Sequence, residues 1–175
     1  MGKSILELVP AHRPSQGLRV VVADDQPMIR AGLNAVLDAA GGIEVVAESA
    51  TGRAAVRDTL AYRPDVLMLD LQLRELSGAA AIREVLLRVP DTGVLVFSAI
   101  EEDESLLTAM RAGARGYLLK NSTDDQIVRG IQGVAAGESI FSPGVAARVS
   151  ALLSRSMERN QHPFPGLTTR EREVL

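Results

Sequence analysis

Short apolar runs alternate with longer amphipathic segments from residue 18 onward. The strand candidates are Leu18–Ala23, Glu44–Ala47, Val66–Leu69, Val94–Phe97 and Tyr117–Leu119. Most of them are β-branched or Leu runs without polar alternation, which is typical of parallel strands covered on both faces. The helix candidates are Ile29–Ala39, Arg53–Tyr62, Ala79–Val89, Asp103–Ala112 and Asp124–Ala136. Five strands alternating with five helices predict an α/β fold with a doubly wound, five-stranded parallel sheet.

The pattern changes after Gly137. Ser142 and Pro143 predict a helix start, with Ser as N-cap and Pro at the first helical position. An apolar stripe continues that helix to about Arg159, formed by Val145, Val149, Leu152, Leu153 and Met157. Two prolines then mark residues 160–166 as a linker.

The last nine residues, LTTREREVL, begin another helix, with Thr168 and Glu171 at capping-box spacing. Because a lone helix this short is not stable, we interpret it as the first piece of a truncated all-α domain. The predicted organisation is a flexible N-terminal extension, the α/β domain, a linker helix with a Pro-containing linker, and the start of the next domain, over residues 1–17, 18–139, 140–166 and 167–175.

Composition narrows the possible functions. The chain has no cysteine, which excludes disulfides and thiolate chemistry and is compatible with a reducing cytoplasm. No apolar run is long enough to span a membrane, and residues 1–17 lack the apolar core of a signal peptide. A net charge of −3 and the absence of tryptophan provide neither a basic footprint nor a stacking platform for nucleic acid. We therefore predict a cytoplasmic protein without a membrane partner.

Polar side chains follow four of the predicted strands. The first strand ends in Asp24 and Asp25, the third in Asp70, the fourth in Ser98 and the fifth in Lys120. Because parallel strands end at the same edge of a sheet, these side chains converge in one cleft. Singly, each has an ordinary structural role as a cap, a turn residue or a solvated charge. Their joint occurrence favours a functional site.

The three carboxylates would repel one another unless a cation were present. They are oxygen ligands suited to a hard divalent ion, so Mg²⁺ is favoured over Zn²⁺. An ammonium and a hydroxyl in the same cleft suit an incoming phosphoryl group, whose negative charge they would share with the metal. Asp70, at the end of the central strand, is the best candidate nucleophile, and Asp24 and Asp25 would hold the metal.

These motifs carry a family resemblance. The segments VVADDQPMIR, PDVLMLDLQLRELSG, VLVFSA and AGARGYLLKNST resemble the receiver domains of bacterial two-component response regulators in order and spacing over residues 18–139. GYLLKNS, GESIFSP and LTTREREVL are similar to the NarL/FixJ subfamily, which carries a LuxR-type helix-turn-helix domain.

The resemblance implies site roles. Asp70 would accept a phosphoryl group from a sensor histidine kinase, and Mg²⁺ would be bound by Asp25, Asp70 and the Gln72 backbone carbonyl, with Asp24 acting through a water. Ser98 and Lys120 would bind the phosphoryl oxygens, and Tyr117 would be the aromatic switch. Phosphorylation would then favour a homodimer, through either the fourth and fifth or the first and fifth helices. It would also control binding of promoter DNA by the C-terminal domain and hence transcription.

One segment departs from the family pattern. Many relatives carry Met-Pro in the loop after the phosphoacceptor strand, whereas this chain has Leu73 and Arg74. Because arginine lacks the preset backbone angle of proline, we expect a more mobile loop.

Two other functions remain as alternatives. A phosphatase with an aspartyl-phosphate intermediate would use a second Asp two residues after the first as its general acid, and here that residue is Gln72. We therefore expect no enzymatic activity beyond self-phosphorylation and slow autodephosphorylation. A phosphorylation-independent interaction module typically lacks one of the acidic or Lys positions, and this chain retains them all. No Gly-rich turn follows the first strand, which excludes a dinucleotide site at the level of motifs.

Overall fold

A computed structural model describes residues 17–99 and 102–161. The strands are β1 (Leu18–Ala23), β2 (Ile43–Ser49), β3 (Val66–Leu69), β4 (Gly93–Ser98), β5 (Gly116–Leu119) and β6 (Ile140–Phe141). The helices are α1 (Pro27–Ala40), α2 (Gly52–Tyr62), α3 (Gly78–Arg88), α4 (Asp103–Ala112), α5 (Asp124–Ala135) and α6 (Pro143–Gln161). All ten elements predicted within residues 18–139 are present, with ends that differ by a few residues.

The strands form one parallel sheet in the order β2-β1-β3-β4-β5-β6. The predicted doubly wound α/β architecture is confirmed, but the sheet has six strands rather than five. The additional strand, β6, has two half-buried residues and pairs Phe141 with Tyr117. Two residues are too few to produce a periodic apolar pattern, so the sequence did not reveal this strand.

Alternate residues along each strand enter opposite cores. Val21, Leu67 and Val96 belong to the core beneath α2, α3 and α4, whereas Val20 and Met68 face the core beneath α1 and α5. Since every residue of β3 and β4 is buried, these strands are covered on both faces, as the uninterrupted apolar runs predicted.

Local sequence signals set several helix ends. The predicted capping box at α5 is present, with Thr123 and Gln126 each bonding the backbone of the other. Thr51 caps α2 by accepting a hydrogen bond from the amide of Ala54. Helix α1 begins at Pro27, two residues earlier than predicted, and its N-cap residue Gln26 makes no side-chain cap bond.

Helix α6 occupies the predicted linker-helix position and packs on the core. Val145 is buried, and Val149 and Leu152 are partly buried against the cluster that contains Tyr117. Ser142 directly precedes the helix, but its buried hydroxyl makes no hydrogen bond within the described part of the chain. The predicted Ser142 side-chain cap is therefore wrong.

Other predictions fall outside the described part of the molecule. They concern the side chains of Leu153 and Met157, the N-terminal extension up to residue 16, and the helix predicted at residues 167–175.

Candidate functional site

Four strand ends meet at one edge of the sheet, as the sequence predicted. Asp24, Asp25 and Asp70 each offer a carboxylate oxygen, and these oxygens lie within 4.8 Å of one another. Lys120 Nζ lies 2.7 Å from Asp24 Oδ2 and 2.8 Å from Asp70 Oδ2. Ser98 ends β4 and is fully buried. The candidate residues therefore form one cluster of three acids and one base, with the hydroxyl on the neighbouring strand.

Asp24 is held by contacts at both its backbone and its side chain. Its amide donates to the Ser49 carbonyl at 3.0 Å, and its carbonyl accepts from Arg30 Nη1 at 2.7 Å. Its Oδ1 accepts from the Gln26 amide at 2.9 Å, and its Oδ2 faces Lys120. Asp25 is only half-buried, and no hydrogen bond to its carboxylate is found within the described residues. Of the two adjacent acids, Asp25 has the more available oxygens.

Asp70 sits at the end of the central strand with 3% of its surface exposed. Its Oδ1 accepts a hydrogen bond of 3.3 Å from the Gln72 amide, and its Oδ2 pairs with Lys120. The start of α3 lies directly behind it. A Cβ added to Gly78 would stand 2.7 Å from the Asp70 carbonyl oxygen, so this close approach requires glycine.

The loop after Asp70 is held without proline. Leu73 is buried, and the Arg74 carbonyl accepts a hydrogen bond of 3.1 Å from the Gly52 amide. Glu75 adopts a left-handed conformation with φ of 66°. The backbone of Arg74, where the sequence departs from the family pattern, is therefore hydrogen-bonded to the start of α2. Greater mobility of the loop stays a prediction.

Electrostatics bind Lys120 to the two acids. Burial lowers the pKa of Lys120, but hydrogen bonds to Asp24 and Asp70 and the charges of these carboxylates outweigh it, so the pKa is raised above that of an ordinary lysine. Lys120 is consequently a fixed positive charge at neutral pH. It neutralises part of the negative charge of the acidic cluster.

Ser98 and Tyr117 are neighbours across β4 and β5. Tyr117 is 1% exposed. Burial raises the pKa of its phenol, and a hydrogen bond with Ser98 opposes part of that effect. The backbone links the same two strands at the cleft, because the Lys120 amide donates to the Ser98 carbonyl at 2.9 Å. The buried phenol thus bonds a serine whose backbone carbonyl is in turn bonded by Lys120 of the acidic site.

Comparison with known proteins identifies the family to which this architecture belongs. A family model described as the response regulator receiver domain matches residues 20–132. The chain belongs to the response regulator receiver family. It is similar to the DNA-binding transcriptional activator DevR/DosR of Mycobacterium tuberculosis, with 35% identity over 158 residues, covering 90% of this chain and 72% of that protein.

Two solved structures resemble the receiver. The signal receiver domain of NarL from Mycobacterium tuberculosis is 36% identical, with a TM-score of 0.69 over 71% of this chain and 100% of that one. A LuxR-family two-component response regulator from Aurantimonas sp. SI85-9A1 is 29% identical, with a TM-score of 0.75 over 79% of this chain and 99% of that one. The prediction of a LuxR-family two-component response regulator is confirmed at this level. The roles of the individual site residues remain predictions.

Sequence reasoning missed one group beside the receiver's acidic pair. Arg30 bonds the Asp24 carbonyl and also donates from Nε to Glu48 Oε2 at 3.1 Å. Asn34 Nδ2 donates to the other oxygen of Glu48 at 2.5 Å. The position of Arg30 on α1, five residues after Asp25, was visible in the sequence. Its partner on β2 depends on register, which periodicity does not reveal.

No helix in the described portion of the receiver is long and apolar enough to cross a membrane.

Proposed function

We propose that Asp70 accepts a phosphoryl group from a sensor histidine kinase, with Mg²⁺ bound in the same cleft. One observation carries the proposal: at the carboxyl edge of a parallel sheet, oxygens of three carboxylates lie within 4.8 Å of one another, and one ammonium contacts two of these acids. In the transfer, an Asp70 oxygen would form a bond to phosphorus while the bond from phosphorus to the kinase's imidazole nitrogen breaks. The proposal thereby takes Asp70 as the nucleophile rather than as a turn residue.

The residues present fit a magnesium ion. Asp24, Asp25 and Asp70 are hard oxygen donors on one small region of surface, and we propose the Gln72 backbone carbonyl as a further ligand. Since Asp24 Oδ1 already accepts from a backbone amide and Oδ2 pairs with Lys120, its contribution would pass through a water. Bound Mg²⁺ would neutralise charge on the transferring phosphoryl oxygens.

Lys120 and Ser98 would bind the phosphoryl group once it is on Asp70. The Lys120 ammonium already contacts Asp70 Oδ2, so it is placed to pair with an oxygen on a phosphoryl group attached there. Ser98 would exchange its hydrogen bond with Tyr117 for one with a phosphoryl oxygen. Tyr117 would respond as the switch residue, since its phenol is buried beside that hydroxyl.

The output would be a change in assembly and DNA binding. Tyr117 lies in the same core cluster as residues of α4 and as Val145 of α6, so a change in its side-chain position would reach both helices. We propose that phosphorylation favours a homodimer and controls promoter binding by a C-terminal helix-turn-helix domain, and that the protein works in the cytoplasm. The names of relatives such as DevR/DosR support regulation of transcription.

The first test is intact mass after incubation with Mg²⁺ and a small acyl phosphate. We expect wild type to gain one phosphoryl group, about 80 Da, and Asp70→Asn to gain none. Asp58→Asn is the matched control, because Asp58 is a buried aspartate bonded to Ser49 and Arg57 rather than to the cleft. It should be phosphorylated like wild type.

The outcome also separates the alternatives. Absence of any mass gain in folded wild type, with the cognate kinase as well as the small donor, would favour a phosphorylation-independent module. A transient gain followed by many turnovers would favour a phosphatase. We expect a persistent phosphoprotein, because the residue two positions after Asp70 is Gln72, which has no acidic proton to donate.

A further inference from the structure

We propose that Arg30 is a positioning residue for the divalent cation, holding the turn that carries Asp24 and Asp25. It touches no reacting group itself. The inference rests on the proposed function, since it concerns the metal of the same cleft. Its basis is a network that joins α1, β2 and the β1–α1 turn.

Arg30 is fixed to two elements at once. Its Nη1 donates to the Asp24 carbonyl at 2.7 Å, and its Nε donates to Glu48 Oε2 at 3.1 Å. The side chain is 16% exposed. Because a guanidinium is planar and rigid, these two bonds together define where the Asp24 carbonyl must lie.

Glu48 is itself oriented from α1. Asn34, one turn beyond Arg30, donates to Glu48 Oε1 at 2.5 Å while Arg30 binds Oε2. Both carboxylate oxygens are therefore engaged by one helix. Because Glu48 is held in this way, it in turn fixes the Arg30 guanidinium that bonds the Asp24 carbonyl.

The turn has other restraints, since the Asp24 amide donates to the Ser49 carbonyl and Asp24 Oδ2 pairs with Lys120, but these contacts do not involve the Asp24 carbonyl. Gln26, the N-cap residue of α1, makes no side-chain cap bond, and the turn is closed by the contact of Asp24 Oδ1 with the Gln26 amide. Without Arg30, the Asp24 carbonyl loses its protein partner and the adjacent Asp25 carboxylate is held less precisely. Partners that orient metal ligands typically contribute 10- to 100-fold to metal affinity.

The charge of Arg30 predicts the opposite effect. A cation near the cleft repels Mg²⁺, so Coulomb forces alone would make Mg²⁺ bind more tightly after Arg30 is removed. Positioning predicts weaker binding. The sign of the change in affinity therefore distinguishes the two roles.

The experiment measures Mg²⁺ dissociation constants by calorimetry on the full chain, with Mn²⁺ competition as a second readout. For Arg30→Met we expect Kd to rise about tenfold. Arg88→Met is the matched control, since it removes an equal charge and one ion pair, with Glu84, on α3. Its Kd should match wild type. Arg30→Lys keeps the charge but not the paired donors, and its Kd should lie between those of wild type and Arg30→Met.

Two further measurements keep the test independent of folding. Asn34→Ala changes no charge and should raise Kd severalfold by releasing Glu48, while hydrogen exchange at the Gln26 amide should quicken in metal-free Arg30→Met. Unchanged or tighter Mg²⁺ binding by Arg30→Met and Asn34→Ala would overturn the positioning role alone. A wild-type chain that binds no Mg²⁺ would overturn the proposed metal site together with it.

Discussion

Replacing Lys120 by methionine tests whether the cleft is an acidic site that requires a cation. The substitution keeps most of the side-chain length and removes the charge. Lys120 is 12% exposed, and its two partners, Asp24 and Asp70, are 2% and 3% exposed. Its loss leaves two buried carboxylates without their ammonium, beside a third acid, Asp25.

The magnitude follows from burial. Removing one partner of a buried ion pair costs about 3–5 kcal/mol, because the remaining charge is uncompensated. Since Lys120 keeps some contact with water, we expect Lys120→Met to lower the free energy of unfolding by about 3 kcal/mol in metal-free buffer. Under the proposed function, saturating Mg²⁺ would supply a replacement cation to the folded chain, so the deficit should shrink to below about 1 kcal/mol.

Urea unfolding at pH 7.5, with EDTA and then with Mg²⁺, measures both effects. Arg88→Met provides the control, since its exposed pair with Glu84 should contribute only about 0.3–0.5 kcal/mol and no metal dependence. A Lys120→Met deficit no larger than that of Arg88→Met would refute the reasoning. So would a large deficit that Mg²⁺ leaves unchanged, because the destabilisation would then come from packing rather than charge.

Three further predictions address the buried Tyr117, helix α6 and the glycine behind Asp70. Burial raises the pKa of Tyr117, so its neutral phenol stabilises the fold below about pH 10, and this stabilisation fades as pH rises further. Tyr117→Phe should remove the late component of an alkaline absorbance titration at 295 nm. Survival of that component would contradict the assignment of the raised pKa to Tyr117. Val145→Ala removes two buried methyl groups and should cost about 1.5–3 kcal/mol in urea unfolding, whereas a negligible cost would mean that α6 does not dock. Gly78→Ala should destabilise the fold by about 1–3 kcal/mol, since its Cβ would meet Leu71 Cα at 2.6 Å. Gly32→Ala, with open space around its Cβ, should stabilise the fold by about 0.5–1 kcal/mol. Equal melting temperatures for these two variants would contradict the close approach at Gly78.

The sheet could be predicted because its strands are buried on both faces. A strand such as Val66–Leu69 has no polar residue to disguise its apolar run, and the helices between strands repeat with a clear 3.6-residue period. The edge was harder. Ile140 and Phe141 form a two-residue strand that is recognisable only through its pairing with β5, a contact made by residues more than twenty positions earlier in the chain.

Ser142 marks the start of α6 without making the side-chain cap that the sequence predicts. The Ser-Pro pair correctly marks the start of α6, but the Ser142 amide donates to the Tyr117 carbonyl at 3.1 Å. The residue is therefore a continuation of the β6 edge as well as the beginning of the helix. That contact uses the backbone amide, whereas a cap would use the hydroxyl, so nothing in the structure explains the missing side-chain cap.

The strand-end residues of the candidate site could be predicted from the sequence, whereas the residues that contact them from neighbouring elements could not, for one physical reason. Asp24, Asp70 and Lys120 each follow a strand, and parallel topology alone brings strand ends together, so their meeting needs no knowledge of side-chain direction. Arg30 and Glu48 meet only because the register of β2 on β1 and the rotation of α1 direct the two side chains toward each other. These quantities come from packing of the whole domain. Candidate site residues at strand ends can thus be identified from the chain's order, whereas the neighbours that contact them require the structure.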